Sequence, residues 1–164
     1  MGMFDLIQLL AEKEIDFVLV GGLAVALQGY QRVTMDVDVV LAMNADNLDR
    51  FVSAARGAGL RPTIPVPIES LCRPELIEQW HREKGMLAFS LRSPNAKATV
   101  LDVLVRPIVP YADLRRDALM VDMGTARVAV ASIPHLIAMK TGTGRSKDMI
   151  DIDELQKLMS GKAP

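Results

Sequence analysis

Hydrophobic and polar positions in the first 41 residues follow helical and extended spacing in turn. Apolar side chains near the start recur every three or four residues, at positions 4, 7, 10 and 11, which predicts a first helix. A short apolar run, Phe17–Val20, ends at Gly21-Gly22 and predicts a strand followed by a tight turn. Residues 23–28 then predict a short helix, and a β-branched run at Met35–Leu41 predicts the next strand.

The middle of the chain predicts another helix, a loop and a hairpin. Asn44 or Asp46 can cap a helix whose apolar side chains recur through residues 48–55. Four prolines between residues 61 and 74 predict a loop, and a helix is expected at 75–82. Two apolar runs, Met86–Arg92 and Lys97–Val105, flank a turn-forming sequence and predict a β-hairpin.

The last part of the chain predicts mainly helices. A helical turn at 114–117 and a short strand at 126–130 precede a C-terminal helix pair at about 132–160. In the last helix, Met149 and Leu155 are expected to point inward, and the charges at 147–154 are interpreted as a solvated face. Helices and strands intermix, and a hairpin requires antiparallel pairing. The predicted fold class is therefore α/β (α+β), with a mixed sheet flanked by helices.

Length, charge and cysteine content limit the classes of protein. The 164 residues, half of them hydrophobic, suit a single domain over 1–164 with its own core. A net charge of −1 gives no electrostatic footprint for non-specific nucleic-acid binding. Cys72 is the only cysteine, so no internal disulfide is expected and a reducing, cytoplasmic location is predicted. Neither a signal peptide nor a membrane-spanning run is expected.

Two aspartates stand one residue apart in the run at Met35–Leu41. Side chains alternate between the faces of a strand, so Asp36 and Asp38 are expected on one face, roughly 6–7 Å apart. Their repulsion would amount to about 2 kcal/mol at an effective dielectric constant of about 20. A divalent cation removes that cost, and Mg²⁺ is commonly held by one or two carboxylates and by substrate phosphates. The alternative interpretation is a solvated strand face.

A third aspartate, Asp102, lies in the middle of another apolar run. A lone carboxylate is costly there unless it is paired or bound to a cation. If its strand lies beside that of Asp36 and Asp38, three carboxylates can hold two divalent ions and clamp the oxygens of an in-line displacement at phosphorus. The alternative is a structural acid paired with Arg92 or Lys97 across the hairpin.

The turn at Gly21-Gly22 adds a feature of a different kind. A strand, two glycines and a helix in succession allow backbone N–H groups to approach a phosphate closely. Combined with the acidic pair, this turn predicts a nucleotide site.

These motifs together resemble the nucleotidyltransferase superfamily, which has the DNA polymerase β-like fold. The resemblance rests on Gly21-Gly22, a short helix and Arg32-x-Thr34-x-Asp36-x-Asp38. It is strongest to small bacterial members grouped with the AbiEii-type toxins of toxin–antitoxin and phage-defence systems, although Gly-Ser is commoner there than Gly-Gly. A late segment, residues 138–155, resembles the C-terminal helix pair of those proteins.

The resemblance implies metal-dependent transfer of a nucleoside monophosphate from an NTP, such as ATP, to an acceptor hydroxyl on protein or RNA. The implied catalytic and metal-binding residues are Asp36, Asp38 and Asp102, with Mg²⁺ or Mn²⁺ as cofactor. The implied nucleotide-binding residues are Gly21, Gly22, Arg32, Thr34, Lys140 and Arg145. A cognate antitoxin or toxin partner is also implied, while the NTP, the acceptor and the oligomeric state stay open.

Two other functions compete with this one. A non-catalytic module of the same fold would bind nucleotide or a partner protein without turnover. A two-metal phosphodiesterase or nuclease would use the same acids but release nucleotide monophosphates from nucleic acid. The near-neutral charge, and the absence of a histidine close to the acidic motif in sequence, weaken the nuclease hypothesis.

Overall fold

The strands of the protein assemble into one mixed sheet in the computed structural model, which describes residues 1–93, 95 and 99–161. Within these residues the sheet has seven strands in the order β3-β4-β5-β2-β1-β7-β6. The strands are β1 (Phe17–Val20), β2 (Val37–Leu41), β3 (Arg61–Pro62), β4 (Ala88–Arg92), β5 (Val100–Leu104), β6 (Leu119–Asp122) and β7 (Arg127–Val130). The helices are α1 (Met3–Glu12), α2 (Gly21–Gln28), α3 (Ala45–Gly57), α4 (Pro74–Lys84), α5 (Tyr111–Arg116), α6 (Ile133–Lys140) and α7 (Ser146–Met159).

The centre of the sheet combines antiparallel and parallel pairing. Strand β1 pairs antiparallel with β2 and parallel with β7, while β2 pairs parallel with β5. Strand β4 pairs antiparallel with β5, as the predicted hairpin requires. The mixed sheet flanked by helices confirms the predicted fold class.

The hydrophobic core lies against the central strands because their apolar side chains face it in alternation. All four residues of β1 are buried, which is typical of a strand covered on both faces. In β2 and β5, Val37, Val39, Leu101 and Val103 are fully buried. The intervening residues Asp38 and Asp102 are only partly buried on the opposite face. The same alternation that builds the core therefore presents the two acids together.

Several element boundaries differ from the predictions. Helix α2 begins at Gly21 and includes both glycines, although residues 23–28 were expected. Strand β2 begins at Val37, two residues later than the predicted start. The proline-rich segment contains β3 and a 3₁₀ helix at Ile68–Cys72, so its prediction as a loop was partly wrong. In the predicted hairpin connection, residues 94 and 96–98, including Lys97, lie outside the described residues.

The interpretation of residues 147–154 as a solvated face was wrong at two positions. Asp148 and Asp151 are 1% and 2% exposed. Met149, which was expected to point inward, is 65% exposed, so that prediction was wrong as well. Leu155 does lie in the core, as predicted. The buried acids have cationic partners from other elements, and a sequence pattern cannot reveal such pairing across 8 to 119 residues.

The described helices include none that is long and apolar enough to cross a membrane.

Candidate active site

The centre of the candidate site is a pair of carboxylates on neighbouring strands. Asp38 of β2 stands directly opposite Asp102 of β5 in the parallel register. Strands β2 and β5 do lie side by side, which is the condition under which their acids can act together. Because the register places both side chains on the same face, the acids form one site although 64 residues separate them in the chain.

Asp38 is the more strongly perturbed of the two acids. Burial raises its pKa from 3.8 to about 7, and the charge and hydrogen bonding of Asp102 add to the increase. The charge of Asp36 raises the pKa further, while the charge of Lys140 lowers it. Carboxylates forced together in this way cannot both ionise easily without a cation between them. The pair therefore has the electrostatics of a cation site.

Ser90 holds Asp102 from the next strand. Its Oγ donates a hydrogen bond to Oδ1 of Asp102, since Ser90 of β4 lies opposite Asp102 in the antiparallel register. Arg92, considered as a structural partner for Asp102, is instead opposite Val100. Sequence reasoning did not single out Ser90, and the only available signal was its place two residues from Arg92 in the predicted hairpin.

Asp36 lies outside the regular part of β2. It precedes the first strand residue, Val37, and its side chain is exposed. Its charge nevertheless reaches Asp38. Among the described residues, no three His, Cys, Asp or Glu side chains are already grouped so that they could hold one metal ion. The structure thus brings Asp38 and Asp102 together, with Asp36 at the edge of the pair.

Gly21 brings the first turn of α2 against Asp38. Its φ of +69° is a left-handed conformation that glycine adopts without the strain of a Cβ atom. A Cβ at this position would lie 2.8 Å from Cγ and 2.9 Å from Cβ of Asp38. The first N–H groups of a helix have no partner within the helix and attract anions. Because Gly21 has no side chain, the N-terminus of α2, which can bind an anion, lies directly next to the acid pair.

Arg32 and Thr34 lie over the next residue of the same helix turn. A Cβ on Gly22 would be 3.1 Å from Oγ1 of Thr34 and 3.4 Å from Cζ of Arg32. Both side chains come from the segment between α2 and β2, and the predicted motif Arg-x-Thr-x-Asp-x-Asp is thus folded back over Gly21-Gly22. The arrangement places a guanidinium and a hydroxyl beside the helix N-terminus.

Lys140, at the end of α6, lies close enough to the acid pair for its charge to lower the pKa of Asp38. Its Nζ is 3.0 Å from Oδ1 of Asp148 and 3.0 Å from Oδ2 of Asp151, and the residue is 8% exposed. Arg32 also pairs with Asp151. The predicted phosphate-contacting residues Lys140 and Arg32 therefore meet at one buried carboxylate of α7, which sequence reasoning did not identify as part of the site.

Arg145 is held by the other buried acid of α7. Its Nε donates to Oδ2 of Asp148 at 2.6 Å, and Thr143 Oγ1 donates to the same oxygen at 2.7 Å. Burial raises the pKa of Asp148, but the hydrogen bonds from Thr143 and Lys140 and the charge of Lys140 overcome it and lower that pKa to about 2. Asp148 is consequently ionised at any physiological pH.

A cavity of about 360 Å³ opens beside Asp38. Its polar lining residues are Gly21, Asp38, Lys140, Thr143, Arg145 and Arg106. Its apolar lining includes Leu87, Leu104, Pro107, Ile108, Leu136 and Met139. The cavity thus joins a carboxylate and several cations to an apolar surface, which is the combination that a nucleotide or a similar amphiphilic ligand requires.

Solved structures with similar folds are nucleotidyltransferases. Lincosamide antibiotic adenylyltransferase LnuA, solved with lincomycin bound, is 14% identical, with a TM-score of 0.62 over 95% of each chain. ANT(2")-Ia, solved with adenylyl-2"-tobramycin, is 12% identical, with a TM-score of 0.58 over 95% of this chain and 88% of its own. An antigenic nucleotidyltransferase-like protein from Paracoccidioides brasiliensis is 17% identical, with a TM-score of 0.54 over 94% of this chain and 73% of its own. These likenesses establish the nucleotidyltransferase fold.

The family follows from the sequence of almost the whole chain. Residues 6–164 match the family described as "Nucleotidyl transferase AbiEii toxin, Type IV TA system". The chain belongs to this family, and the resemblance stated from its motifs is confirmed. No curated protein sequence matches the chain significantly.

Proposed function

We propose that the protein is a metal-dependent nucleotidyltransferase that moves a nucleoside monophosphate from an NTP to an acceptor hydroxyl on protein or RNA, acting as one domain over residues 1–164. The observation that carries this proposal is the position of Asp38 and Asp102, in register on adjacent strands and beside the N-terminus of α2. A carboxylate pair next to an anion-binding helix end supports a metal–triphosphate complex.

The acid pair fits a divalent cation. Two adjacent carboxylates, one with its pKa raised to about 7, gain most from a positive charge between them. Mg²⁺ is commonly held by one or two carboxylates, with substrate phosphates and water as its other ligands. Asp38 and Asp102 would hold it, and Asp36 would add a ligand or charge from the edge. When bound, Mg²⁺ or Mn²⁺ lowers the pKa of a coordinated hydroxyl and neutralises charge on the departing pyrophosphate.

The residues around α2 and α6 would bind the triphosphate. Backbone N–H groups of Gly21 and Gly22 would donate to its oxygens, with Arg32 and Thr34 beside them. Lys140 and Arg145 line the cavity together with Gly21 and Asp38 and would add positive charge. These roles rest on position, because each group lies next to the acid pair or to the helix turn that contacts it.

The reaction would be an in-line displacement at the α-phosphorus. The acceptor oxygen forms a bond to phosphorus, the bond from that phosphorus to the β-phosphate oxygen breaks, and pyrophosphate leaves. The proton of the acceptor hydroxyl passes to Asp102, whose Oδ1 already accepts a hydrogen bond from the hydroxyl of Ser90. Positioning and electrostatic stabilisation by the side chains supply most of the catalysis.

The family description supports a place in a toxin–antitoxin system, where the partner would be a cognate antitoxin or toxin. The cytoplasmic site of action remains the prediction made from the single cysteine. If the chain is the toxin of its pair, it would restrain growth by modifying its acceptor. Labelling of a protein band or of an RNA band distinguishes the two acceptor classes.

Labelling with α-³²P NTPs tests the transfer directly. Each of the four NTPs is supplied with Mg²⁺ or Mn²⁺ and a cell lysate, and Asp38→Asn is compared with Asp153→Asn, which changes an exposed acid of α7. Label on a protein or RNA band that is lost only in Asp38→Asn supports the proposal. A folded protein that binds NTPs but labels nothing would contradict it and favour the non-catalytic module. Release of nucleotide monophosphates from nucleic acid would favour the nuclease.

A further inference from the structure

Asp151 of α7 lies between two cations that belong to different parts of the candidate site. One of its oxygens accepts from Nζ of Lys140 at 3.0 Å, and the same oxygen pairs with Arg32. Asp151 is 2% exposed, and the side chains of Lys140 and Arg32 are 9% and 18% exposed. All three charges are therefore held in a place where solvent screens them little.

Both partners of Asp151 also face the proposed triphosphate position. The guanidinium carbon of Arg32 lies 3.4 Å from the point where a Cβ on Gly22 would stand, so Arg32 covers the first turn of α2. Lys140 lines the cavity beside Asp38 and acts on the charge of that acid. Asp151 thus joins a cation that covers the first turn of α2 to a cation that lines the cavity, and both contact the same carboxylate oxygen.

The neighbouring Asp148 shares Lys140 with Asp151 but otherwise holds different groups. It accepts from Lys140, Thr143 and Arg145, all of which line the cavity. Of the two acids, only Asp151 pairs with Arg32. Removal of Asp151 should consequently release Arg32, whereas removal of Asp148 should release Arg145, and this difference makes the two acids separable by mutation.

Buried ion pairs are a weak source of stability, because the cost of desolvating the charges offsets most of their attraction. A buried pair that serves only packing could be replaced by apolar side chains. Here Arg32 lies against the first turn of α2 and Lys140 lines the cavity, where an apolar replacement could not act on a phosphate. The buried ion pairs of Asp151 are therefore better explained by the positions that they give to Arg32 and Lys140 than by a contribution to stability.

We propose that Asp151 is a positioning residue that holds Arg32 and Lys140 next to each other beside the triphosphate and so couples α7 to nucleotide binding. The proposal rests on the proposed function and adds to it a residue that never touches the substrate. Partners that orient the groups of a site typically change affinity or activity by about 10- to 100-fold when they are removed. The loss should appear mainly in the KM for NTP, with a smaller change in kcat.

A double-mutant cycle tests whether Asp151 acts through Arg32. The variants are Asp151→Asn, Arg32→Gln and the combination, with Asp153→Asn as a matched control on the same helix. KM and kcat for the NTP are measured together with the Kd of a non-hydrolysable NTP analogue and the Tm of each variant. Each single variant should raise KM and Kd by about 10-fold or more, and the double variant should be no worse than the poorer single within about 2-fold. The control should match the wild type.

Four outcomes would overturn the proposal. Multiplicative effects in the cycle would mean that Asp151 and Arg32 act independently. A lowered Tm of Asp151→Asn with unchanged KM and Kd would mean that the role is structural. Wild-type protein that neither binds the analogue nor transfers a nucleotide would overturn both this proposal and the proposed function. Normal transfer by the wild type, with the same KM, Kd and Tm in Asp151→Asn, would overturn only this proposal.

Asp151→Glu keeps the test decisive if Asp151→Asn does not fold. Glutamate retains the negative charge that pairs with Arg32 and Lys140 but moves it by one methylene group, so both cations must shift. A rise in KM of about 10-fold without a change in Tm supports the positioning role. An unchanged KM contradicts it.

Discussion

Asp38 and Asp102 share one place on the sheet, opposite each other on parallel strands, and burial beside Asp102 raises the pKa of Asp38 to about 7. A proton and a divalent cation are therefore competitors for the same pair of carboxylates. At low pH the proton relieves the repulsion between the acids, and at high pH only a cation can do so.

This competition predicts a pH-dependent effect of Mg²⁺ on stability. The pKa of Asp38 is higher in the folded protein than its ordinary value of 3.8, so the unfolded chain releases the proton first as the pH rises. Without metal, the free energy of unfolding should then fall between about pH 4 and pH 7 and level off above the folded-state pKa. The contribution is about 2 to 4 kcal/mol, reduced by any sharing of the proton within the pair.

Thermal unfolding at pH 5 and pH 8, with and without free MgCl₂ at about 5 to 10 times the measured Kd, checks this expectation. By mass action this excess should stabilise the folded state by about 1 kcal/mol at pH 8 and by much less at pH 5. Asp38→Asn should abolish both the decline with pH and the response to Mg²⁺. An equal Mg²⁺ effect at both pH values, or in the Asn variant, would show that the cation binds elsewhere.

Local patterns were sufficient to predict the central strands and to indicate that their acids would meet if the strands were neighbours. The burial of β1 and the hairpin of β4 and β5 follow from apolar runs with turn signals between them, and Asp102 was recognisable as an isolated charge in such a run. The role of Ser90 depends on cross-strand register, and Asp148 and Asp151 depend on cations that arrive from α6 and from the segment before β2. Register and long-range ion pairing are properties of the folded chain. The pattern of polarity therefore assigned Asp148 and Asp151 to a solvated face and did not single out Ser90.

A side chain at Gly21 should damage the site beyond its cost in backbone strain. Gly21→Ala introduces a Cβ 2.8 Å from Cγ of Asp38, at a residue whose left-handed φ of +69° is strained for alanine. Gly85→Ala is a matched control, because Gly85 has a φ of +66° and no atom lies within 4 Å of the place that its Cβ would take. Both variants should lose about 1 to 2 kcal/mol of stability from strain in urea unfolding.

Only Gly21→Ala should also weaken NTP binding and transfer, since Asp38 must move away from the helix turn. We expect a loss of kcat/KM of about 100-fold or more, which is typical when a reacting group is misplaced by about 1 Å. Equal activity in the two alanine variants would show that the approach of Gly21 to Asp38 is unimportant for the reaction.

Ser90→Ala should reduce turnover with little effect on stability. The change removes the hydrogen bond to Oδ1 of Asp102 and leaves β4 otherwise unchanged. The free energy of unfolding should fall by about 1 kcal/mol, and kcat should fall by about 10-fold while the KM for NTP stays the same. Ser53→Ala, at an exposed position of α3, serves as the control. A kcat equal to that of the control would mean that Asp102 needs no orientation by Ser90.

Lys140→Met should be the most destabilising of these substitutions. Lys140 is the cation that both buried acids of α7 share, and methionine would leave two carboxylates in an apolar surrounding with fewer partners. Removal of one partner of a buried pair commonly costs about 3 to 5 kcal/mol. Lys157→Met is the exposed control: it loses pairs with Asp153 and Glu154 and should cost less than about 1 kcal/mol.

Loss of the Lys140 charge should also raise the pKa of Asp38 further, because that charge lowers it in the wild type. The pH at which Mg²⁺ begins to stabilise the protein should therefore move upward in Lys140→Met and stay unchanged in Lys157→Met. Mg²⁺ titrations of both variants across pH 6–9 measure this shift. Equal titrations of the two variants would contradict the electrostatic link between Lys140 and Asp38.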